Sequence, residues 1–289
     1  MKIVKIKGGL GNQLFQYSFA KLIQKKTGDE VKLDLNEYEN INDSVRSPRI
    51  LKFDIDLPLA TAEDCRKVCK FDHSGKRGTF SYKAKIAAEA KLNKRYFFEE
   101  NRAYRDVDQL LHYDFFDGYW QSWRYVDEVW DDLKDHLMTK AGLSSDTVKE
   151  IHRVRSENSV FVGIRRGDYL QVNPQHYGSF GQDYYKKAMK MVSDLIADPV
   201  FYIFSNDIEW VKKNMDFSGF TTKYRDKVVD DFDEFFVMAN CHHAIIPNST
   251  YHWWGARLNW TDNKVVFAPD KWFQDDKPID IVPPYWKRV

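Results

Sequence analysis

The chain has 289 residues, enough for one large or two medium domains. Its 44 basic and 43 acidic side chains leave a net charge of +1, which argues against a protein that binds nucleic acid by bulk electrostatics. Three cysteines form neither a disulfide framework nor a zinc pattern, so we expect a reducing compartment. No signal-peptide core or apolar run of about 18 residues is evident. We therefore expect a cytoplasmic protein, at most in peripheral contact with the inner face of a membrane.

The first half of the chain opens with a predicted β-loop-α-β unit. Residues 2–6 alternate as a strand does, and a glycine-rich turn at 8–12 is followed by apolar residues at helical spacing. Residues 31–35 predict the next strand. Residues 60–115 look helical and basic, with few clear strands, and residues 126–138 again have helical spacing.

The second half alternates more regularly between strands and helices, which predicts a mostly parallel sheet with helices on its faces. The polar stretch 141–158 separates the two halves, and we place the domain boundary between residues 1–155 and 156–289. The predicted strands are 160–164, 200–204, 243–247 and 264–268, and the predicted helices are 182–197, 206–215, 231–241 and 250–259.

Two adjacent arginines follow the predicted strand at 160–164. A guanidinium is a planar, permanently charged fork that matches a pair of phosphate oxygens. Because ligands of α/β folds bind at the carboxyl ends of strands, Arg165 and Arg166 indicate a pocket for a phosphorylated ligand, in particular one with a diphosphate leaving group. The alternative is a solvated turn in which Asp168 pairs with one of the arginines.

A second motif stands in the glycine-rich turn near the N-terminus. Gly9 and Gly11 allow a ligand to approach the backbone and the start of the following helix. The motif is only half of a dinucleotide fingerprint, since Leu14 occupies the third glycine position and no Walker lysine follows, so NAD or ATP binding is poorly supported. Asn12 either serves the ligand site or caps the helix.

An aromatic motif surrounds Trp120 and Gln121 in the stretch 118–125. Aromatic rings with one amide suit a platform for an acceptor sugar, and the alternative is a core strand that leads into a helix. We assign Trp120 and Gln121, together with Gln13 of the first motif, to acceptor binding.

Two polar motifs follow predicted strands in the second half. Asp207 offers an acceptor for a base or ribose hydroxyl, or it complements a helix dipole. Asn248, Ser249 and Thr250 open a predicted helix and either form a phosphate cradle or cap that helix.

Taken together, in order and spacing, these motifs resemble the α-1,2-fucosyltransferases of glycosyltransferase family 11, bacterial branch. Blocks that look like those of the family are the Gly-Gly-Leu-Gly-Asn-Gln start, Arg-Arg-Gly-Asp-Tyr, Phe-Ser-Asn-Asp-Ile-Glu-Trp and the Asn-Ser-Thr to Trp-Trp-Gly-Ala stretch. The resemblance covers essentially the whole chain and is weakest at 55–110. It implies an α/β, GT-B-type fold with two Rossmann-like domains facing a cleft, the first on the acceptor side and the second binding a GDP-sugar donor.

The resemblance also implies an activity: inverting, metal-independent transfer of L-fucose from GDP-fucose to an oligosaccharide acceptor, at the 2-OH of a galactoside, for surface polysaccharide or glycan synthesis. No cofactor or metal is expected. Competing expectations are a same-fold transferase with a different nucleotide-sugar donor, and a weakly catalytic sugar- or nucleotide-binding protein. An Asp-x-Asp metal motif is present at Asp231 and Asp233, but we interpret it as the start of a helix.

Residue roles carry over only where the motifs match. Arg166 is expected to stabilise the departing diphosphate, Asp168 to act as base or to orient the guanidiniums, and Asn12 to hold the acceptor hydroxyl or the leaving group. The expected donor-binding residues are Arg165, Arg166, Asp207, Asn248, Ser249, Thr250, Gly9 and Gly11.

One departure from the family pattern concerns the arginine block. The family usually has a histidine two residues before the arginine pair, where this chain has Gly163. Either the donor affinity or identity differs, or another group replaces that histidine, with His176 and His243 as candidates. Pro247 likewise stands where the family favours a small residue.

Overall fold

The computed structural model describes residues 1–38, 47–71, 79–166, 180–226, 230–259, 261, 263–274 and 279–289. They form two compact α/β units. Unit 1 comprises Met1–Ala141 and Lys277–Ile281, and unit 2 comprises Gly142–Asp276 and Val282–Val289. Each unit contains a sheet in which every strand pair is parallel.

The sheet of unit 1 has the strand order β2-β1-β4-β3. Single-turn 3-10 helices occur at Asn36–Tyr38, Arg49–Lys52 and Val107–Leu110. The other elements are β1 (Lys2–Lys5), α1 (Leu10–Thr27), β2 (Val31–Asp34), α2 (Ala62–Val68), α3 (Phe80–Leu92), β3 (Tyr96–Phe98), β4 (Phe115–Asp117), α4 (Trp123–Asp127) and α5 (Trp130–Lys134).

Helix α1 packs on one face of this sheet. Its Phe19 stacks on Trp120 with 3.8 Å between ring centroids and meets Phe116 of β4 edge-on at 5.5 Å. Gly28 ends the helix in the left-handed conformation (φ 70°) and donates its N–H to the Gln24 carbonyl. The opposite face of the sheet carries a smaller apolar cluster that includes Tyr96 of β3.

Two parts of unit 1 differ from the sequence prediction. Strand β3 lies inside the region 60–115, predicted to be helical and poor in strands, and strand β4 begins at the last residue of that region. Each has only three residues, too few to display an alternating pattern. The helix predicted at 126–138 is instead the pair α4 and α5, because the backbone leaves the helical conformation at Val129 (φ −120°, ψ 9°).

The sheet of unit 2 has the order β10-β9-β8-β5-β6-β7. Its strands confirm the predicted parallel arrangement. The elements are α6 (Ser145–Arg155), β5 (Ser159–Ile164), α7 (Gln182–Ser193), β6 (Val200–Ser205), α8 (Ile208–Asn214), β7 (Thr222–Tyr224), α9 (Asp231–Ala239), β8 (His243–Ile245), α10 (Thr250–Arg257), β9 (Val266–Ala268) and β10 (Lys287–Arg288).

Strand β5 lies in the middle of this sheet, and all six of its residues are buried. Val160, Val162 and Ile164 pack in the core formed with α7 and α8. Phe161 points to the opposite face, where its ring tip lies near Gly255 of α10. Because neighbouring residues of a strand face opposite sides, the position of a side chain along β5 decides which helix layer it meets.

The division between the units falls at 141/142, before the predicted boundary at 155/156. Helix α6 belongs to unit 2 because its residues bond there. The Oδ2 atom of Asp233 accepts hydrogen bonds from Thr147 at 2.7 Å and from Ser144 at 2.8 Å. Glu150 pairs with Arg225 at 2.6 Å.

Candidate active site

The carboxyl ends of three neighbouring strands gather most of the predicted donor-binding residues. Strand β5 is hydrogen-bonded to β8 on one side and to β6 on the other, all in parallel. Residues that follow these strands therefore lie along one edge of the sheet of unit 2. This donor edge, as we call it, consists of Arg165, Arg166, Asn206, Asp207, Asn248, Ser249 and Thr250.

Arg166 is held at the donor edge by two contacts. Its backbone N–H donates to Oδ1 of Asn206 at 3.1 Å, which joins the ends of β5 and β6. Its guanidinium carbon lies 3.1 Å from the ring centroid of Trp210, in helix α8. The guanidinium is thereby stacked on an aromatic face, and its Nε is buried without a hydrogen-bond partner among the described residues.

Arg165 faces the other helix layer. Burial raises the pKa of Tyr251 in α10 and lowers the pKa of His252 in the same helix. The positive charge of Arg165 opposes the first shift and adds to the second. The two adjacent arginines therefore lead to opposite faces of the sheet, Arg165 towards α10 and Arg166 towards α8. Their spacing along the backbone nevertheless keeps both at the donor edge.

His252 occupies the space next to Gly163. A Cβ atom on Gly163 would lie 2.2 Å from Cδ2 of His252 and 2.7 Å from its Nε2, so the imidazole rests directly on the glycine backbone. Burial, with a smaller contribution from Arg165, lowers the pKa of His252 to about 3, and the ring is neutral at physiological pH. Its Nδ1 is buried without a hydrogen-bond partner in the described part of the chain.

Part of the segment after β8 makes hydrogen bonds within unit 2 and so stabilises the fold. Asn248 is buried, and its Nδ2 donates to the Trp272 carbonyl at 3.0 Å. Ser249 is the N-cap residue of α10, yet its side chain makes no capping hydrogen bond. The same holds for Asp207 at the start of α8. The simple capping interpretation of Ser249 is therefore not what the structure shows.

In unit 1 the glycine-rich turn joins β1 to α1. Gly8 has φ +80°, and a Cβ there would lie 2.7 Å from Nδ2 of Asn12, so only glycine fits. Gly9 precedes the helix, and the space around its Cα is open. Asn12 does not cap α1. Its Oδ1 accepts a 2.7 Å hydrogen bond from Nε2 of Gln121, which brings a predicted catalytic residue and a predicted acceptor-binding residue together.

Two residues predicted to bind the acceptor are framework residues. Gln13 is fully buried. Its Nε2 donates to the carbonyls of Gly8 and Ser47 at 2.9 Å each, and its Oε1 accepts from the N–H of Ile50 at 2.8 Å. Trp120 is also fully buried and stacks on Phe19. Neither side chain has the exposed surface that a contact with an acceptor sugar requires, so the structure does not suit that prediction.

A buried charge cluster that the sequence analysis missed lies at the carboxyl edge of the unit 1 sheet. Asp117 accepts from Lys7, from Lys5 at 3.3 Å and from the hydroxyl of Tyr96 at 2.7 Å. Burial alone would raise the pKa of Asp117, but the two lysine charges hold it well below its usual range. Lys5 also donates to the Tyr82 hydroxyl at 2.6 Å. The sequence signal for this cluster was the spacing of Lys5 and Lys7, which are two residues apart at the carboxyl end of the first strand.

A second missed carboxylate shapes the loop that carries Gln121. Glu99 accepts from the backbone N–H groups of Tyr119 at 2.5 Å and Trp120 at 3.3 Å, and burial raises its pKa. Trp120 has φ 55°, a backbone conformation that residues other than glycine rarely adopt. The two hydrogen bonds to Glu99 therefore stabilise an unfavourable backbone conformation. The hydrogen bonds to Glu99 thus fix the backbone of the loop in the conformation that places Gln121 next to Asn12.

The remaining predicted residues have simple outcomes. Asp168 and His176 lie outside the described residues. Asp231 and Asp233 lie in the first turn of α9, which confirms the helix-start interpretation. Among the described residues no three His, Cys, Asp or Glu side chains are grouped closely enough to hold a metal ion. No helix in the described part of the chain has the length and apolar character needed to span a bilayer.

With this geometry established, comparison with known proteins identifies the family. A model of glycosyl transferase family 11 matches residues 78–287. The chain belongs to glycosyl transferase family 11. This family 11 chain is 29% identical over 296 residues to an α-1,2-colitosyltransferase of Escherichia coli, covering 99% of this chain and 98% of that protein.

It is 35% identical over 132 residues to a human galactoside α-(1,2)-fucosyltransferase, a match that covers 44% of this chain and 36% of the human one. A crystal structure of NodZ α-1,6-fucosyltransferase soaked with GDP-fucose matches the fold with a TM-score of 0.50 at 14% identity, covering 92% of this chain and 94% of that one. The predicted α/β, GT-B-type fold is thus confirmed.

Proposed function

We propose that this family 11 chain transfers a 6-deoxyhexose from its GDP ester to the 2-OH of a galactoside, with inversion and without a metal ion. The observation that carries the proposal is the donor edge, where Arg165 and Arg166 follow the central strand of a parallel sheet. In sheets of this kind, nucleotides bind outside the carboxyl ends of the strands. A departing diphosphate needs positive charge, and two guanidiniums with neighbouring hydroxyl side chains meet that need.

The reaction also requires that the acceptor hydroxyl be positioned for attack. The acceptor hydroxyl attacks the anomeric carbon on the side opposite the diphosphate, and the sugar passes through an oxocarbenium-like state, as in glycoside hydrolysis. We assign the Asn12–Gln121 pair to positioning that hydroxyl, because Gln121 also carries a buried Oε1 without a partner among the described residues. Asp168 keeps its two proposed roles, as a base or as an orienter of the guanidiniums.

The sugar of the donor has two candidates. L-Fucose is favoured by the human α-(1,2)-fucosyltransferase and by the fold of NodZ. Colitose is favoured by the α-1,2-colitosyltransferase that matches the full length of the chain. The two sugars differ by one hydroxyl group at carbon 3. A site built to hydrogen-bond that hydroxyl rejects the analogue without it by several orders of magnitude, whereas a site without such a partner accepts both.

The test is transfer from GDP-L-fucose and from GDP-colitose to lactose, with product mass and linkage determined and GDP release measured with and without acceptor. A (1→2)-linked product from either donor supports the proposal, and the ratio of kcat/KM values identifies the sugar. Absence of acceptor-dependent GDP release from both donors, in a folded protein, would favour the weakly catalytic binding protein. We propose a surface polysaccharide or glycan as the natural acceptor, and transfer to isolated glycans tests this.

A further inference from the structure

The inference concerns His252, a buried histidine for which the reaction above has no use. Its ring takes the volume that a side chain at position 163 would fill. A Cβ atom added to Gly163 would lie less than 3 Å from the Cγ, Cδ2 and Nε2 atoms of the ring. Atoms that are not bonded do not approach a Cβ so closely, so the histidine ring at 252 can occupy this place only because residue 163 is a glycine. The contact lies inside unit 2. Gly163 is two residues before Arg165, so the two residues face the same side of the sheet.

The ring is unusual for a histidine in a core. Buried polar atoms are nearly always hydrogen-bonded, and one left unpaired costs about 1–3 kcal/mol. Nδ1 of His252 has no partner in the described residues, although Phe161 and Tyr251 pack around the ring with centroids 6.5 and 5.5 Å away. A phenylalanine would fill this space without that cost. An unpaired nitrogen beside Arg165 indicates a partner that arrives with a ligand.

Resting on the function proposed above, we propose that His252 donates an imidazole N–H to a phosphate oxygen of the GDP-sugar, from the space next to Gly163. A phosphate held by Arg165 on this face of the sheet lies within the layer that α10 covers. A neutral imidazole supplies a directional hydrogen bond there without adding a third positive charge to the arginine pair. The family pattern has a histidine at 163, so the imidazole would reach the same place from α10 instead of from β5.

Among the described residues, the other histidine named as a candidate for this role, His243, is poorly placed for it. His243 is the first residue of β8 and so lies at the amino end of the strand, away from the donor edge, and its Nδ1 already accepts from the N–H of Val265 at 3.1 Å. His243 is therefore a matched control: a buried histidine of the same sheet whose ring nitrogen has a partner.

The experiment measures GDP affinity by titration calorimetry for the unaltered chain and for His252→Phe, His243→Phe, Gly163→His and the exchange variant Gly163→His/His252→Gly. Thermal midpoints report folding of each. We expect His252→Phe to weaken GDP binding roughly ten- to a hundredfold, the range for losing a hydrogen bond to a charged group. His243→Phe should lower the thermal midpoint without changing GDP affinity.

The exchange variant separates binding from packing. Gly163→His alone overpacks the site and should lower the thermal midpoint, whereas the exchange variant should recover both that midpoint and a GDP affinity within about threefold of the unaltered chain. Recovery of the affinity supports the inference even where His252→Phe folds poorly. A folded exchange variant that binds GDP as weakly as His252→Phe would overturn it, and so would normal affinity in His252→Phe. Failure of the unaltered chain to bind GDP would overturn the proposed function as well.

Discussion

Replacing Asp117 by asparagine is expected to destabilise unit 1 more than any change to a surface carboxylate. The Asp117 and Lys5 side chains are each 3% exposed and Lys7 is 9% exposed, so one carboxylate compensates two ammonium groups out of water. An asparagine leaves two buried ammonium groups without the Asp117 charge; Lys5 keeps its hydrogen bond to the Tyr82 hydroxyl and lies 3.9 Å from Glu37. Removing one partner of a buried ion pair costs about 3–5 kcal/mol, and we expect a loss in this range.

Hydrogen exchange followed by mass spectrometry suits the measurement, because a chain with two units need not unfold in one step. Amides of β1 and β4 should lose protection corresponding to about 3–5 kcal/mol, while those of β5 and β6 in unit 2 stay unchanged. Asp131→Asn is the matched control, since Asp131 is 91% exposed and its ion pair with Lys134, three residues along the same helix, lies in solvent. It should leave exchange unaltered. A loss below about 1 kcal/mol in Asp117→Asn would refute the reasoning.

Four further outcomes are expected. Arg166→Ala should lower kcat/KM about a hundredfold, the effect of removing one preorganised donor from a developing charge, and near-normal activity would remove its assignment to the diphosphate. EDTA should leave the transfer rate unchanged, and a rate that falls and returns with a divalent cation would contradict metal independence. Asp168→Asn should abolish the acidic limb of the pH–rate profile if Asp168 is the base and preserve it if Asp168 only orients the arginines. Because the pKa of His252 is lowered to about 3, the unfolded chain binds a proton at this residue below about pH 6.5 that the folded chain does not. His252 alone should therefore lower stability by about 1.4 kcal/mol per pH unit as pH drops from there towards 3. The pH dependence of stability, measured by urea unfolding across the same range, should be less steep by this amount in His252→Phe than in the unaltered chain.

Unit 2 was the more predictable part of the fold. Buried strands such as β5 read as continuous apolar runs, and helices such as α7 repeat apolar residues at helical spacing, so local pattern and final structure agree. In unit 1, β3 and β4 are three residues long, and their stability comes from parallel pairing with each other and, for β4, with β1. Such pairing is a tertiary effect that no short window of sequence displays.

The candidate site divides in the same way. Residues at the ends of long strands, such as Arg166, were predicted correctly to lie at the carboxyl edge of the sheet. The sequence did not distinguish an exposed aromatic residue from a buried one, so Trp120 was assigned to the acceptor although it stacks inside unit 1. Its positive φ and the carboxylate of Glu99 that supports it depend on contacts between separate segments. The exchange of side-chain space between Gly163 and His252 is likewise visible only once α10 is packed on β5.

The Arg165 and Arg166 side chains point to opposite faces of the sheet, and this constrains how the proposed diphosphate would bind at the donor edge. Sequence adjacency indicated one cluster of positive charge, but strand alternation places the Arg166 guanidinium on Trp210 and aims Arg165 at the α10 layer. A diphosphate bound by both must therefore cross the end of β5, with one phosphate on each side of the strand. Stacking on Trp210 then fixes the position of the Arg166 guanidinium before the donor binds. Trp210→Leu should consequently weaken GDP binding without removing any group that contacts it, and Trp210→Phe, which keeps an aromatic face, should restore most of the affinity in the same calorimetric titration. Equal affinities in the two variants would show that the guanidinium needs no such support.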